Sequence, residues 1–291
     1  MDVRRHDRSD FLDAVQGFLV CHEAMNNLVL GLAHTLRTNP TAYVDSPYLA
    51  AVEAHGQVML VALRTPPHPL VLSWSEPGPN VGRALDVLVE DVAAAFPRLP
   101  GVLGPKGVVE PFLRRWSHRT GQRGRLVVAE RIYELTTVNP PPLVPGAMRE
   151  TGPTDVPLLR RWLRAFTQEA LPETADVDQH AEETLRHRLS NPGSAFYLWE
   201  DETAVCLAGY SGPTPTGIRI GPVYTPPEQR GRGYASILVA QLSQRLLDGG
   251  RTRCFLFTDL SNPTSNGLYQ RIGYRPVGDV DQFVFDDGEN P

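Results

Sequence analysis

The chain has 291 residues, 41% of them hydrophobic and 21% charged, and its formal net charge is −5 at pH 7. This length exceeds the usual size of one domain, so we expect two domains of about 140 residues each. The negative charge argues against nucleic-acid binding, and no apolar run reaches the roughly 18 residues that a membrane span requires. We therefore expect a soluble, cytoplasmic protein, monomeric or oligomeric, without nucleic-acid or membrane partners.

The first half has an alternating pattern of helices and strands. Its apolar periodicity predicts, in chain order, helices at Ser9–Cys21 and Glu23–Leu36, a hairpin of Val58–Leu63 with Leu70–Trp74, a helix at Arg83–Phe96, a strand near Val102, a helix at Val108–His118 and a strand at Arg125–Leu135.

Residues 139–146 contain four prolines and end in a glycine, which favours an extended connector and excludes a helix or a central strand. We predict a first domain at 1–138, a Pro-rich linker at 139–146 and a second domain at 147–291.

The second half repeats the order of the first. It predicts a strand at Ala147–Glu150, a helix at Asp155–Ala170 capped by Thr154, a helix at Asp178–Leu189, a hairpin of Phe196–Glu200 with Ala204–Tyr210, a strand at Ile218–Thr225, a helix with apolar residues from Ala235 to Leu246, a strand at Cys254–Thr258, a short helix from Pro263 and closing strands at Tyr274–Val277 and Gln282–Phe285.

Cysteine and histidine patterns do not indicate a metal site or a disulfide framework. The chain has three cysteines, and Cys206 and Cys254 lie in predicted strands, where a free cysteine is usually a small core residue. His180 and His187 share a predicted helix face with Glu183, but the chain has no His-Glu-x-x-His motif. We expect no bound metal.

A glycine-rich turn, Arg230-Gly-Arg-Gly-Tyr-Ala235, joins a predicted strand to a predicted helix. Glycines allow a tight turn whose N–H groups point the same way, and the helix behind adds its positive end, so the turn suits a phosphate group. A P-loop is excluded because Lys106 is the chain's only lysine, and a dinucleotide fingerprint would need glycine in place of Ser236. A simple connector with two solvated arginines is the alternative.

A second motif, Asn262-Pro-Thr-Ser-Asn-Gly-Leu-Tyr-Gln-Arg-Ile-Gly-Tyr274, follows the strand Cys254–Thr258. Each of its residues also has a structural interpretation. Asn262 is a good helix N-cap, Gly273 is an ordinary helix stop, and Tyr269 could pack as an aromatic residue.

Together, Arg230-x-x-Gly-x-Ala235 and the second motif resemble the two sequence motifs of the GNAT superfamily of acetyltransferases. The resemblance covers about residues 147–286 and implies an α/β fold with a mixed central sheet and helices on both faces. It also implies that acetyl-coenzyme A is the cosubstrate. The first half has Glu76–Gly82 where the glycine turn would stand, so we interpret the chain as a tandem whose first domain is a degenerate GNAT-like copy; an unrelated α/β domain is the alternative.

The resemblance also implies roles for individual residues. Backbone N–H groups at the strand end, Val223, Tyr224 and Thr225, would hold the pantetheine arm. The glycine turn would hold the pyrophosphate through Arg230, Gly231, Arg232, Gly233, Tyr234 and Ala235. In the second motif, Asn262 and Ser265 would touch the pantetheine, and Tyr269 would protonate the leaving thiolate. The strand Ile218–Thr225 carries no glutamate, so the general base is Asp259, Glu169 or a relaying water.

The activity implied is transfer of an acetyl group directly to a primary amine of a small molecule or peptide. The alternatives are a coenzyme-A-binding regulatory module without turnover and a scaffold whose first domain binds a partner protein.

Overall fold

A computed structural model describes residues 1–39, 41–43, 45–170 and 176–286. The chain forms two compact units, one of Met1–Arg131 together with the residues from Gly278 onwards, the other of Ile132–Val277. The predicted linker lies inside the second unit, and the last residues of the predicted second domain, 287–291, lie outside the described residues.

The elements of the first half are β1 (Asp2–Arg5), α1 (Phe11–Val20), α2 (Asn27–Thr38), β2 (Tyr48–Ala54), β3 (Gln57–Arg64), β4 (Leu70–Leu72), α3 (Pro79–Ala95), β5 (Gly101–Pro105), α4 (Lys106–Thr120) and β6 (Arg123–Leu135). Those of the second half are β7 (Ala147–Glu150), α5 (Val156–Ala170), α6 (Val177–Leu189), β8 (Ala195–Asp201), β9 (Thr203–Ser211), β10 (Gly217–Tyr224), α7 (Tyr234–Asp248), β11 (Arg253–Asp259), α8 (Pro263–Ile272) and β12 (Arg275–Asp286).

The sheet of the first unit runs β1-β2-β3-β4-β5 and continues with β12. The pairs are antiparallel except β4 with β5, which is parallel. Leu60 and Val61 are neighbours on β3 and face opposite sides, as successive strand residues must. Leu60 belongs to the core under α3 and α4, and Val61 to the core under α1 and α2.

The second unit has the same arrangement. Its sheet runs β7-β8-β9-β10-β11 and continues with the end of β6. Cys206 faces the core under α7 and α8, whereas Leu207 faces the core under α5 and α6. Both units are therefore mixed sheets covered by helices on two faces, which confirms the predicted α/β fold class.

Several local predictions were wrong. Thr154 does not cap a helix, because it lies within a 3-10 turn, Pro153–Asp155, in which the Asp155 carboxylate accepts from the Gly152 N–H at 2.8 Å. The second helix begins at Asn27 rather than Glu23, and the two predicted closing strands are one continuous strand, β12.

The proline-rich segment 139–146 is fastened to the second unit at both ends. The Asn139 N–H donates to the Ile272 carbonyl at 2.7 Å, and the Trp199 indole N–H donates to the Pro145 carbonyl at 2.8 Å. The domain boundaries at 138 and 147 stay a prediction.

Cys206 and Cys254 are fully buried in the core, as predicted. The described residues do not gather three or more His, Cys, Asp or Glu side chains into a group that could hold a metal ion. Within the same residues, no helix combines the length and apolar character of a transmembrane segment.

Candidate coenzyme and acyl-transfer site

The glycine-rich turn leads directly into α7. Gly231 and Gly233 have φ angles of +78° and +87°, in the left-handed region that favours glycine, and Gly233 is the residue before the first turn of the helix. The first N–H groups of a helix have no partner within it and carry the positive end of its dipole. At the start of a 15-residue helix, this turn can bind an anion.

The Arg230 side chain ties the turn to two other elements. Its Nη2 lies 2.9 Å and 2.7 Å from the two carboxylate oxygens of Glu169, at the end of α5, and its Nε donates to the Thr225 carbonyl at 2.9 Å. The guanidinium therefore positions the turn against α5 and the end of β10. The anion-binding capacity of the turn rests on its backbone.

Next to this turn, the two parallel strands β10 and β11 diverge. Their pairing runs from Gly217 opposite Arg253 to Arg219 opposite Phe255, although the strands continue to Tyr224 and Asp259. A bulge between Ile220 and Val223 interrupts β10, and Pro222 within it has no N–H to donate. Beyond Arg219, the β11 side of β10 is left open while its β9 side is paired.

Tyr269, on α8, lies near the end of β10. Its ring packs edge-on against Tyr274 with centroids 5.9 Å apart, and only 8% of the residue is exposed. Burial raises the pKa of the phenol, and the nearby Cys206 thiol raises it further. None of the described residues forms a hydrogen bond with the Tyr269 hydroxyl. The Thr225 hydroxyl in turn contacts the Cys206 sulfur at 3.2 Å.

Cys206 is a buried thiol rather than a nucleophile. Burial raises its pKa to about 12, so the unreactive protonated form persists at neutral pH.

The second motif forms a hydrogen-bonded start to α8. The Asn262 side chain accepts from the Ser265 N–H at 3.0 Å, as expected of an N-cap. Asn266 donates to the carbonyls of Asp259 and Asn262 and accepts from the Tyr133 hydroxyl at 2.9 Å. Sequence reasoning missed Tyr133 and Asn266, although the position of Asn266 inside the motif was an available signal.

The two candidate bases lie on different elements. Glu169 is ion-paired with Arg230 beside the end of β10, where its carboxylate joins burial in raising the pKa of the Tyr224 phenol. Asp259 ends β11, and its carboxylate accepts from the Ser261 N–H at 2.7 Å in an exposed turn. The structure thus brings Glu169, Thr225 and Arg230 together and leaves Asp259 at the start of α8.

Known proteins with similar sequences and structures identify this arrangement. Residues 157–274 match the family model described as "Acetyltransferase (GNAT) family". No curated protein sequence matches the chain.

Among solved structures, a Drosophila protein has 12% identity to the chain, a TM-score of 0.68, and an alignment that covers 99% of each chain. A tandem GNAT protein from the clavulanic acid biosynthesis pathway has 15% identity and a TM-score of 0.57, with 98% of this chain and 97% of that chain covered. A GCN5-related N-acetyltransferase from Sphaerobacter thermophilus has 16% identity and a TM-score of 0.56, with 97% and 94% covered. At these identities the likeness establishes the fold.

The glycine turn, the diverging strands and the family match lie in the same half of the chain: residues 157–274 match the GNAT family of acetyltransferases, in a chain that has the fold of a tandem GNAT protein.

Proposed function

We propose that the second unit transfers an acetyl group from acetyl-coenzyme A to a primary amine of a small molecule or peptide, by direct attack of the amine on the thioester. The observation that carries this proposal is the opening between β10 and β11 beside the glycine turn. It combines an anion-binding helix start with a free strand edge, which are the features that a long pyrophosphate thioester requires.

The described residues fit such a ligand. The turn from Arg230 to Ala235 would hold the pyrophosphate through its N–H groups, and the open edge of Val223, Tyr224 and Thr225 would hold the pantetheine arm. Asn262 and Ser265 would line the other side. A backbone N–H aimed at the thioester carbonyl would stabilise the charge that forms on its oxygen as the amine attacks.

Tyr269 is the proposed general acid. Its raised pKa keeps the phenol protonated at every physiological pH, and its hydroxyl has no hydrogen bond to the described residues that would have to break first. When the carbon–sulfur bond breaks, the phenol donates its proton to the departing thiolate, and the thiol leaves neutral.

The proton lost by the amine goes to Glu169, to Asp259 or to a relaying water. Glu169 has the better location, beside the end of β10, but it must share its carboxylate with Arg230. The pH profile of kcat/KM distinguishes these three routes for the proton. If Glu169 or Asp259 is the base, replacing it in Glu169→Gln or Asp259→Asn abolishes the acidic limb of the profile. If a water relays the proton, both variants keep the acidic limb.

We propose one coenzyme site per chain. In the first unit, α3 begins at Pro79, within the segment 76–82 that replaces the glycine turn, and proline has no N–H to offer a phosphate. This is consistent with a degenerate GNAT-like first domain.

Calorimetry of the full chain with acetyl-coenzyme A tests the binding, and thiol release with a broad panel of amines tests the reaction. We expect a stoichiometry of one and release with at least one amine. Two molecules per chain would contradict the single site. Binding without release for every amine would favour a coenzyme-A-binding regulatory module.

A further inference from the structure

The hydroxyl of Tyr133, near the end of β6, holds two successive turns of α8. It donates to the Asn266 side-chain oxygen at 2.9 Å and accepts from the Gln270 side-chain nitrogen at 3.0 Å. Asn266 and Gln270 are four residues apart, so they lie on one face of the helix. Tyr133 itself is fully buried, and β6 lies beside β11 in the sheet. A single phenol of the sheet thus holds one side of this helix.

The helix α8 depends on such contacts for its position. It has 10 residues, too few for a stable helix on its own. At its start, the Asn266 side chain donates to the Asp259 carbonyl at 2.8 Å and to the Asn262 carbonyl at 2.7 Å. These two bonds fasten the start of the helix to the end of β11. The bonds to Tyr133 lie along its side, where they oppose rotation of the helix about its own axis.

Tyr269 lies between the two contacts with Tyr133, three residues after Asn266 and directly before Gln270. Its ring belongs to the same core as the Tyr133 ring, and its hydroxyl has no hydrogen bond to the described residues. The location of that hydroxyl therefore follows the rotation of α8. Proton transfer requires a donor and an acceptor within about 2.6–3.2 Å of each other, so a small rotation takes the phenol out of range of a departing thiolate.

We propose that Tyr133 is a positioning residue for the acyl transfer: its hydroxyl sets the rotation of α8 and thereby aims the Tyr269 phenol at the leaving sulfur. This inference rests on the proposed function, in which Tyr269 is the general acid. Tyr133 acts on the reaction only through Tyr269, and this dependence distinguishes its role from a purely structural one.

The test begins with Tyr133→Phe, which removes the hydroxyl and keeps the ring. We expect kcat for thiol release to fall by roughly 10- to 100-fold, because a displacement of about 1 Å costs up to about 100-fold in rate. The calorimetric affinity for acetyl-coenzyme A should stay near that of the wild type, since the bonds of Asn266 at the start of α8 remain. Gln270→Ala cuts one of the two bonds at an exposed residue and should lower kcat by a smaller factor.

Tyr197→Phe is the matched control. Tyr197 is a buried tyrosine of the same core, on β8, and its hydroxyl donates to the Glu150 carboxylate at 3.1 Å. The loss of this bond should lower the thermal midpoint about as much as Tyr133→Phe does. It should leave kcat within a few-fold of the wild type, because β8 does not carry Tyr269.

A double-mutant cycle with Tyr269→Phe separates positioning from stability. A positioning residue matters only while the phenol is present, so adding Tyr133→Phe to Tyr269→Phe should lower kcat by less than about threefold. A residue that only supports the fold lowers kcat by the same factor in both backgrounds. If Tyr133→Phe does not fold, Gln270→Ala takes its place in the cycle.

The outcomes separate this inference from the proposed function. A loss of kcat confined to the background that retains Tyr269 supports the inference. Equal factors in both backgrounds, or a kcat in Tyr133→Phe that matches that of Tyr197→Phe, overturn it and leave the proposed acetyl transfer standing. A Tyr269→Phe protein with wild-type kcat overturns the general acid and the positioning role together. If no amine reacts with the wild type, acetyl transfer fails, and the positioning role fails with it.

Discussion

Replacing Tyr269 with phenylalanine removes one oxygen atom and leaves the ring where it is. The ring keeps its contact with Tyr274, and no hydrogen bond to the described residues is lost, since the hydroxyl makes none. We therefore expect the thermal midpoint and the affinity for acetyl-coenzyme A to stay near those of the wild type. If the hydroxyl protonates the thiolate, kcat should fall by about 10²–10⁴-fold, or roughly 3–5 kcal/mol of transition-state stabilisation.

Tyr274→Phe is the matched control for this prediction. The Tyr274 hydroxyl is buried and lies 2.9 Å from the Ser243 hydroxyl, so its removal should lower the free energy of unfolding by about 1 kcal/mol. It should leave kcat within a few-fold of the wild type. The two variants thus lose the same atom from neighbouring rings with opposite consequences.

The assay is steady-state release of the coenzyme A thiol, with coenzyme affinity measured separately by calorimetry. A Tyr269→Phe protein with wild-type kcat would refute the role of the hydroxyl as general acid. Loss of coenzyme binding in that variant would instead assign the hydroxyl to binding.

Two further predictions concern the turn and the start of the second domain. Gly233→Val should abolish binding of acetyl-coenzyme A, measured by calorimetry, because φ at this position is +87° and a Cβ would lie 3.1 Å from the Val144 side chain. The control is Gly250→Val, at φ +99° in open space at the other end of α7, which should lower the free energy of unfolding without changing coenzyme binding. Equal binding by both variants would contradict the role of the turn. Asp155→Asn should destabilise the protein at pH 7: Arg149 lowers the pKa of Asp155 in the folded state, so the stabilisation is present above the ordinary carboxyl pKa and is lost as the pH falls through the lowered value. The difference between the two proteins in denaturant titrations should begin to shrink below about pH 4 and should vanish only below the lowered pKa of Asp155. A pH-independent difference would refute the ion-pair explanation.

Local patterns predicted most of the elements that position the site. The glycine turn, the helix after it and the N-cap at Asn262 depend on residues within a few positions of one another, so the sequence carries them directly. The opening between β10 and β11 is also local, since the bulge at Ile220–Val223 and the missing N–H of Pro222 interrupt the strand.

Interactions between distant residues could not be predicted in this way. The hydrogen bonds of Tyr133 to Asn266 and Gln270 join β6 to α8 across more than 130 residues of sequence. The buried Nη1 of Arg188 is similar, because the sequence places an arginine in the last turn of a helix, where it is ordinarily solvated. The strand β2 was missed because its residues, Tyr-Leu-Ala-Ala-Val-Glu-Ala, do not alternate between apolar and polar.

The pairing of β12 with β5 has a consequence for synthesis of the chain. Val280 lies opposite Pro105 and Val284 opposite Gly101, so a strand of the first unit is translated some 175 residues after its neighbour. A ribosome that has finished residues 1–131 has therefore produced a unit whose β5 edge is still unpaired, and unpaired edges recruit other strands. The second unit is translated during this interval. For this protein, the usual order of folding, in which the N-terminal domain is completed first, is reversed: the unit that emerges first is the one that closes last.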